Sequence, residues 1–256
     1  FGSNVAIQGN VAVIGAYFAD GGFGAAYVFQ RLGGVWIQQA KLVAADRNFF
    51  SEFGENVKID GNTIAVGAPS DRNGTGAVYV FQNNAGVWAQ QAKLVASDAL
   101  EFSFFADSIA LKEDLVVSGA DVGFVPGVGF AGAAYVFRRS GNVWRQEAKL
   151  IDPVPVYGEG FGSGTAIIDK GTLAIGAASA QAAGVVTFFT HTGANWLAES
   201  QLVPGSPEDG QFFGTNIEVS GNSIVVGAPF AATVGGIRTG AAYVYRQAVT
   251  TWRAEA

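Results

Sequence analysis

The chain has 256 residues, of which 49% are hydrophobic and 14% are charged, with 36 glycines and no cysteine. This composition is too apolar for a disordered protein and too rich in glycine for a helical one, and it excludes disulfides and thiolate metal sites. The net charge of -6 argues against a nucleic-acid partner, whose phosphates need a basic face, and no apolar run approaches the roughly 20 residues needed for membrane insertion.

Three motifs recur five times along the chain with a shared spacing. Each repeat opens with Phe-Gly, or once Phe-Ala, and these pairs begin at residues 1, 53, 105, 161 and 213. A segment similar to Gly-Ala-Ala-Tyr-Val-Phe follows at residues 24, 76, 132, 184 and 240. The five tryptophans complete the pattern at residues 36, 88, 144, 196 and 252. A repeat of about 50 residues is typical of a propeller blade, a β-solenoid or a stacked array.

The second repeat shows the strands of one unit most clearly. Alternating or continuous apolar residues, separated by turn residues rich in Asn, Asp, Gly and Pro, predict four strands in succession. The predicted strands cover residues 56–59, 63–68, 77–81 and 87–92. Four strands joined by short connections predict an antiparallel meander.

Side-chain size increases along each repeat. The second strand ends in small residues such as Gly67-Ala68, while the later strands carry Tyr, Phe and Trp. This grading suits sheets that fan around a common axis, with tryptophans filling the wider gaps between them. We therefore predict an all-β fold, a five-bladed β-propeller of four-stranded antiparallel blades in a single domain, residues 1–256. The predicted blades cover approximately residues 1–46, 47–98, 99–152, 153–204 and 205–256.

The repeated motifs resemble those of a known family. Phe-Gly, Val-Gly-Ala-Pro at 66–69 and 226–229, and Gly-Ala-x-Tyr-Val-Phe resemble the FG-GAP repeats of the integrin α-subunit head. Trp-x-x-x-Ala-Lys-Leu at 36–42, 88–94 and 144–150 is similar to bacterial extracellular FG-GAP repeat proteins. The resemblance covers the whole chain and implies an integrin α N-terminal-like β-propeller located in the extracellular space or at the cell surface.

Blade number remains open between two interpretations. Members of the family usually have seven blades, so part of a larger six- or seven-bladed propeller is the alternative to a five-bladed ring. The chain contains no methionine and begins at Phe1, inside a repeat motif. We therefore expect a processed or excised segment of a longer product.

The resemblance also raises the question of calcium, which many integrin blades bind in an Asp-x-Asp-x-Asp-Gly loop between the first two strands. The corresponding segments here are short turns at residues 8–10, 60–62, 112–114, 169–171 and 220–222. None of them offers the six to eight oxygen ligands that calcium prefers. The sequence therefore predicts no cofactor and no metal, with calcium kept as the alternative although the calcium loops of the family are absent.

Few side chains are available for catalysis. His191 is the only histidine, and its position suggests a solvated turn residue. The chain therefore has too few histidines for a histidine-rich zinc site and little basis for a Ser/His/Asp triad. Loop carboxylates of the kind that glycosidases use are Glu52 with Glu55, Asp98 with Glu101, Glu159, and Glu208 with Asp209. Surface charge is their ordinary explanation in an acidic protein. We predict no catalytic residues and no enzymatic activity.

The loops at one rim of the predicted propeller differ from repeat to repeat. In a four-stranded meander, the loops between strands two and three and the connections from strand four to the next blade emerge on one side. We call both sets the variable loops. The former are residues 17–23, 69–75, 121–131, 178–183 and 229–239, and the latter include residues 47–50, 100–102 and 153–157. Such variation on a rigid scaffold favours recognition, although unconstrained drift explains it equally well.

The variable loops supply the candidate ligand-binding residues. Aromatic side chains would stack on a sugar or on an apolar patch of a protein, and carboxylates would form hydrogen bonds. The candidates are Phe49, Phe50, Phe102, Tyr157, Phe230, Asp20, Asp71 and Asp121. The leading hypothesis is a non-catalytic extracellular binding or adhesion propeller for a protein or glycan. A structural or accessory subunit of a larger assembly and a polysaccharide hydrolase or lyase are the alternatives.

Overall fold

A computed structural model of the protein describes residues 1–205, 210–232, 236–248 and 251–255. These residues form an all-β fold with five four-stranded antiparallel sheets, which are the blades of a β-propeller. Each blade is built from four strands of one repeat, as the period of the motifs predicted. The predicted fold class is therefore confirmed.

The strands follow the repeats closely. Blade 1 contains β1 (Val5–Gln8), β2 (Val11–Ala16), β3 (Ala25–Leu32) and β4 (Val35–Leu42), and blade 2 contains β5 (Val57–Asp60), β6 (Thr63–Ala68), β7 (Ala77–Asn84) and β8 (Val87–Leu94). Blade 3 contains β9 (Ser108–Lys112), β10 (Leu115–Ala120), β13 (Ala133–Ser140) and β14 (Val143–Leu150). Blade 4 contains β15 (Phe161–Asp169), β16 (Thr172–Ala177), β17 (Val185–Thr192) and β18 (Asn195–Leu202). Blade 5 contains β19 (Ile217–Ser220), β20 (Ser223–Ala228), β21 (Ala241–Ala248) and β22 (Thr251–Ala254).

Three of the variable loops contain regular structure of their own. Short turns α1 (Ala19–Gly22) and α2 (Asp71–Gly74), each with two left-handed residues at its centre, lie between the second and third strands of blades 1 and 2. A two-stranded hairpin, β11 (Phe124–Val125) with β12 (Gly129–Phe130), fills the insertion in blade 3. In the described residues, neither α1 nor α2 has the length or apolarity to cross a membrane. Residues 233–235 of the blade 5 loop lie outside the described residues.

The third strand of blade 2 is longer than the sequence pattern predicted. It extends from the predicted end at residue 81 to Asn84, and Asn84 pairs with Val87 across the hairpin. Ala85 and Gly86 alone make the turn, with φ values of 52° and 92°. Two consecutive left-handed residues match the twist of the flanking strands, so the ladder continues to the end of the hairpin.

The predicted grading of side-chain size is present. All six residues of β6 are buried, and they are small or β-branched. In the same blade, the ring of Phe53 packs against the rings of Tyr79 and Phe81 of the third strand. Trp88 of the same blade packs at the edge of this core, whereas Trp36 of the first repeat remains 40% exposed.

The motifs Phe-Gly and Gly-Ala meet where consecutive repeats join. Gly76 forms a parallel β-bridge with Phe105, and Gly132 forms the same bridge with Phe161. Gly76 has a φ of +81°, and a Cβ atom on it would overlap the backbone of Phe105. Phe105 is fully buried. The glycine of one repeat thus makes room for the Phe-Gly motif of the next.

Residue contacts divide the chain into two units, and the boundary passes through blade 3. The first unit contains residues 1–118 and 136–147, and the second contains residues 119–135 and 148–256. Phe53, Val66 and Tyr79 are core residues of the first unit. Phe213 and Ile224 are core residues of the second.

Candidate ligand-binding site

Backbone hydrogen bonds attach each variable connection to the preceding variable loop. The amide of Phe50 donates to the carbonyl of Gly22 over 2.9 Å, and the amide of Phe102 donates to the carbonyl of Asn73 over 3.1 Å. In the second unit, the amide of Gly158 donates to the carbonyl of Phe130 over 2.8 Å. The loop of one blade and the connection that leaves that blade therefore build each segment of the variable loops together.

Three of the predicted residues lie in one open cleft of the first unit. This aromatic cleft has a volume of about 400 Å³ and is lined by Asn48, Phe49, Phe50, Ser70, Asn73, Gly74, Phe102 and Phe104. The rings of Phe49 and Phe50 lie 4.1 Å apart, and Phe18 and Phe23 pack beside them. Phe50 is 55% exposed and Phe102 is 62% exposed. The cleft therefore presents aromatic surface to solvent.

The backbone of the aromatic cleft is strained at two of these phenylalanines. Phe50 and Phe102 have φ values of 56° and 63°, in the left-handed region that bulky residues avoid. Both residues lie three positions before the Phe of a Phe-Gly or Phe-Ala motif. At the same position before the next two motifs the chain has Gly158 and Gly210, with φ values of 76° and 70°. Each phenylalanine therefore costs about 1–2 kcal/mol relative to a relaxed backbone.

Asp20 supports one wall of the aromatic cleft. Its carboxylate accepts hydrogen bonds from Lys41, over 2.5 Å, and from Arg47. These bonds, from Lys41 first and then Arg47, hold the pKa of Asp20 below its usual value. The guanidinium of Arg47 lies 5.1 Å from the ring centre of Phe23, which packs on Phe49. Asp20 thus supports Phe23 and Phe49 through Arg47, whereas Lys41 lies over the ring of Tyr27.

Asp71, in contrast, is buried inside the protein. Its side chain is 2% exposed and lies 2.7 Å from the ammonium group of Lys93. Lys93 also contacts Asp46 over 2.7 Å and lies over the ring of Tyr79, whose hydroxyl donates to Asp46. Asp71 reaches the aromatic cleft only through the amide of Asn48, at 3.5 Å.

The other three predicted residues belong to the second unit. Tyr157 is 70% exposed, and its ring lies against Gly129 of the β11–β12 hairpin. Phe230 is half exposed and packs on Phe212 at 5.3 Å between ring centres. Asp121 is partly buried, and this burial raises its pKa although backbone amides donate to its carboxylate. Phe212 was not predicted from the sequence as part of the site.

The carboxylate pair nearest to the aromatic cleft does not have the spacing of a glycosidase. Glu52 and Glu55 form a hydrogen bond with each other, and burial, followed by the charge of Glu52, raises the pKa of Glu55 to about 7. Glycosidases keep their two carboxyl groups about 5–10 Å apart to admit the substrate or a water molecule. Ser70, which lines the cleft, donates to Glu52 over 2.5 Å.

The remaining candidates for catalysis are dispersed or lie elsewhere in the fold. Glu101 accepts a hydrogen bond from Asn73 at the surface, and Glu208 and Asp209 lie outside the described residues. His191 lies within β17 and not in the turn that its sequence context suggested, because that hairpin ladder continues to Thr192 and Asn195. Its ring packs at 4.9 Å on Trp196.

In the first unit, a carboxylate at one of the turns where the family binds calcium already accepts hydrogen bonds from protein groups. The carboxylate of Asp60 accepts from the Gln8 amide over 2.7 Å and from the backbone amide of Glu113 over 2.5 Å. Both oxygens of Asp60 therefore have protein donors. Across the described ranges, no three His, Asp or Glu side chains gather in a group that could hold a metal ion.

Glu159 is an unusual buried acid in the second unit. It is 4% exposed, and its Oε1 atom has no hydrogen-bond partner among the residues that the structure describes. Burial, followed by the charge of Asp152, raises the pKa of Glu159 to about 7. The corresponding positions of the other repeats, two residues before the Phe-Gly motif, hold the buried polar residues Ser51, Ser103 and Gln211.

Glu159 should make the stability of the protein depend on pH. Its folded-state pKa lies above the unfolded value, so its proton stabilises the fold below about pH 4.5 and this contribution is lost as the pH rises through 7. We expect Glu159→Gln, which copies Gln211, to be more stable than the wild type at pH 8 by more than about 1 kcal/mol. Thermal melts between pH 5 and 8 check this expectation. Parallel pH profiles for the two proteins would contradict it.

The comparisons with known proteins agree with the repeat motifs. A family model described as FG-GAP repeat matches residues 1–29, 36–81, 88–137 and 196–245. Together the matched segments cover more than half of the chain, and they include every residue that lines the aromatic cleft. No curated protein matches the chain.

Proposed function

The chain belongs to the FG-GAP repeat family, and on this premise we propose that it is a non-catalytic propeller that binds a protein or glycan through the aromatic cleft. Proteins of this family are generally non-catalytic, and their fold is often associated with binding or adhesion. FG-GAP repeats are typically extracellular. We therefore propose an extracellular or cell-surface location for this protein.

One observation carries the proposal: exposed phenylalanines occupy strained backbone positions. A glycine at position 50 or 102 would relieve the strain, as Gly158 and Gly210 do in the later repeats. The rings gain little from burial in return, since both are more than half exposed. Strained residues that the fold does not need are concentrated at functional sites in proteins generally.

The composition of the aromatic cleft indicates how it would hold a ligand. Phe49, Phe50 and Phe102 supply apolar faces, while Asn48 and Asn73 supply uncharged hydrogen-bonding groups. A few polar groups placed among aromatic side chains are the usual pattern of a recognition site. Exposed aromatic clusters of this kind also serve as anchors in protein interfaces.

The other predicted residues have supporting or additional roles in this proposal. Asp20 and Asp71 hold the loops that form the cleft through their basic partners Lys41 and Lys93. Tyr157 and Phe230 would offer additional contact surface in the second unit, with Asp121 as a partly buried hydrogen-bonding group. No cofactor takes part in this recognition.

Replacement of the strained phenylalanines separates binding from folding. We expect Phe50→Gly and Phe102→Gly each to weaken ligand binding about thirtyfold, which corresponds to about 2 kcal/mol for the loss of an aromatic anchor. Neither variant should be less stable than the wild type, because the left-handed strain is removed. A glycan array and an array of extracellular proteins identify the ligand, and biolayer interferometry gives its Kd.

Leu32→Ala is the matched control, because Leu32 is also an exposed apolar residue but lies at the turn between β3 and β4. Its Kd should equal that of the wild type. Unchanged binding by both glycine variants would contradict the proposal. A protein that binds nothing on either array and forms a defined oligomer would instead support the role of a structural subunit.

A further inference from the structure

A second cavity lies in the first unit, at the ends of the strands opposite to the aromatic cleft. This amide pocket has a volume of about 500 Å³ and lies between the outer strands of blades 2 and 3. Its polar side chains are Gln82, Asn84, Gln90, Gln91, Arg139 and Asn142. The proposed function does not use this pocket, and a ligand bound here would be independent of the aromatic cleft.

The orientation of the three glutamine amides is fixed by groups that can only donate hydrogen bonds. Oε1 of Gln82 accepts from Nη1 of Arg139 over 2.7 Å. Oε1 of Gln90 accepts from the backbone amide of Ala45 over 2.9 Å, and Oε1 of Gln91 accepts from Nε1 of Trp144 over 2.8 Å. A guanidinium, a backbone amide and an indole have no acceptor, so each oxygen must face its donor.

This arrangement leaves the nitrogen ends of the glutamines available. In the part of the chain that the structure describes, the Nε2 groups of Gln82, Gln90 and Gln91 have no protein acceptor. The acceptor capacity of the glutamines is directed at the protein. The ends of the three amides that have no protein partner are NH2 donors, which a ligand rich in acceptors would satisfy.

A positive charge accompanies these donors. Arg139 lies with its guanidinium 5.4 Å from the ring centre of Trp144, and it donates to Gln82 and to the backbone carbonyl of Glu113. Within the described residues Arg139 forms no ion pair, whereas the neighbouring Arg138 pairs with Glu147 and Asp114. The pocket therefore combines amide donors with an arginine that lacks a carboxylate partner.

We propose that the amide pocket binds the carboxylate of an acidic sugar, such as a uronic acid residue of a polysaccharide. The carboxylate would accept hydrogen bonds from the glutamine amides and from Arg139, which form charge-assisted bonds of the kind that carboxylates prefer. The exposed amides of Asn84 and Asn142 both donate and accept, as sugar hydroxyls do. The volume of the pocket accommodates a sugar ring.

The other repeats show that this combination belongs to the pair of blades 2 and 3. Blade 1 has Gln39 at the position of Gln91, but its amide donates to the carbonyl of Gly86. The position of Arg139 is held by Asn83 in blade 2, so the corresponding place between blades 1 and 2 lacks the cation. Glu147 of blade 3 corresponds to Gln91, so a glutamate is compatible with the fold at this position.

Two substitutions borrowed from these repeats test the proposal. Gln91→Glu keeps an oxygen for Trp144 but replaces the amide donor with a negative charge, and Arg139→Asn copies Asn83. Isothermal titration calorimetry of the intact protein with sodium glucuronate, glucose and sodium sulfate, at constant ionic strength, measures the affinities. We expect glucuronate to bind at least about tenfold more tightly than glucose, and each variant to lose at least about tenfold in affinity for glucuronate.

Controls distinguish this site from the aromatic cleft and from a general anion site. Phe50→Gly should bind glucuronate as the wild type does, and circular dichroism should show Gln91→Glu folded. Sulfate binding as tight as that of glucuronate would overturn the sugar assignment. Equal affinity for glucose and glucuronate, no binding of glucuronate, or full binding by Gln91→Glu and Arg139→Asn would overturn the site itself.

Discussion

Gly76→Ala is expected to lower the free energy of unfolding by about 3 kcal/mol or more, or to prevent folding altogether. Alanine is disfavoured at the left-handed φ of +81°, and its Cβ would overlap the backbone of Phe105. Because Gly76 and Phe105 join two consecutive repeats, the backbone has little room to move aside. Urea unfolding followed by tryptophan fluorescence measures the change.

Gly86→Ala serves as the control for backbone conformation alone. Gly86 has a φ of +92°, and a Cβ atom there would have no neighbour within 4 Å. Its substitution should cost about 1–2 kcal/mol, the penalty of the left-handed region without a steric overlap. Equal losses in the two variants would show that the close approach of Gly76 to Phe105 contributes nothing to stability.

Lys93→Met is expected to lower the free energy of unfolding by about 3–5 kcal/mol, because it leaves the buried carboxylate of Asp71 with only the exposed guanidinium of Arg72, 4.0 Å away, as a cation. The ammonium group lies 2.7 Å from Asp71 and 2.7 Å from Asp46. Methionine retains most of the aliphatic contact with Tyr79. The loss therefore reports the electrostatic contribution of the lysine, measured as a shift in the urea midpoint.

Lys41→Met provides the comparison in blade 1. Lys41 occupies the same repeat position, but its partner Asp20 is about one third exposed and retains Arg47. The urea midpoint of this variant should be close to that of the wild type. The double variant Lys93→Met with Asp71→Asn should recover part of the loss. A double variant less stable than Lys93→Met would contradict the assignment of the loss to the buried charge.

The fold could be predicted because the repeat itself carries the information. The spacing of Phe-Gly, the Gly-Ala strand and tryptophan determines four strands per unit, and small residues mark the buried strand β6. The hairpin β11–β12 was not predicted, since it is two residues per strand and occurs in only one variable loop. Glycine-rich insertions give no periodicity from which such a hairpin could be inferred.

The sequence predicted some residues of the candidate site but not others, because neighbouring residues in a loop can point in opposite directions. Phe104 lines the aromatic cleft whereas the adjacent Phe105 is fully buried, and a left-handed turn at residue 104 separates their directions. Asp20 and Asp71 had the same predicted role. However, Asp71 aligns with Ala19 and points inside the protein, while Asp20 aligns with Arg72 and remains near the surface. Sequence spacing alone does not resolve these directions.

The amide pocket could not be predicted from the sequence. Glutamine pairs next to tryptophan look like surface residues of an outer strand, and their chemistry emerges only when neighbouring blades meet. The bond from Trp144 to Gln91 determines which end of the amide is left for a ligand. That contact joins residues 53 positions apart.

The attachment of each connection to a loop of its own motif-to-motif repeat has a consequence for how such proteins can be altered. A transplantable cassette would run from one Phe-Gly motif to the residue before the next, as from Phe53 to Phe104, because it carries four strands and both halves of one recognition segment. A cut between the fourth strand and the connection, near residue 98, would instead separate Asn73 from Phe102. The aromatic cleft as a whole would need two adjacent cassettes, since Asn48, Phe49 and Phe50 belong to the unit before Phe53.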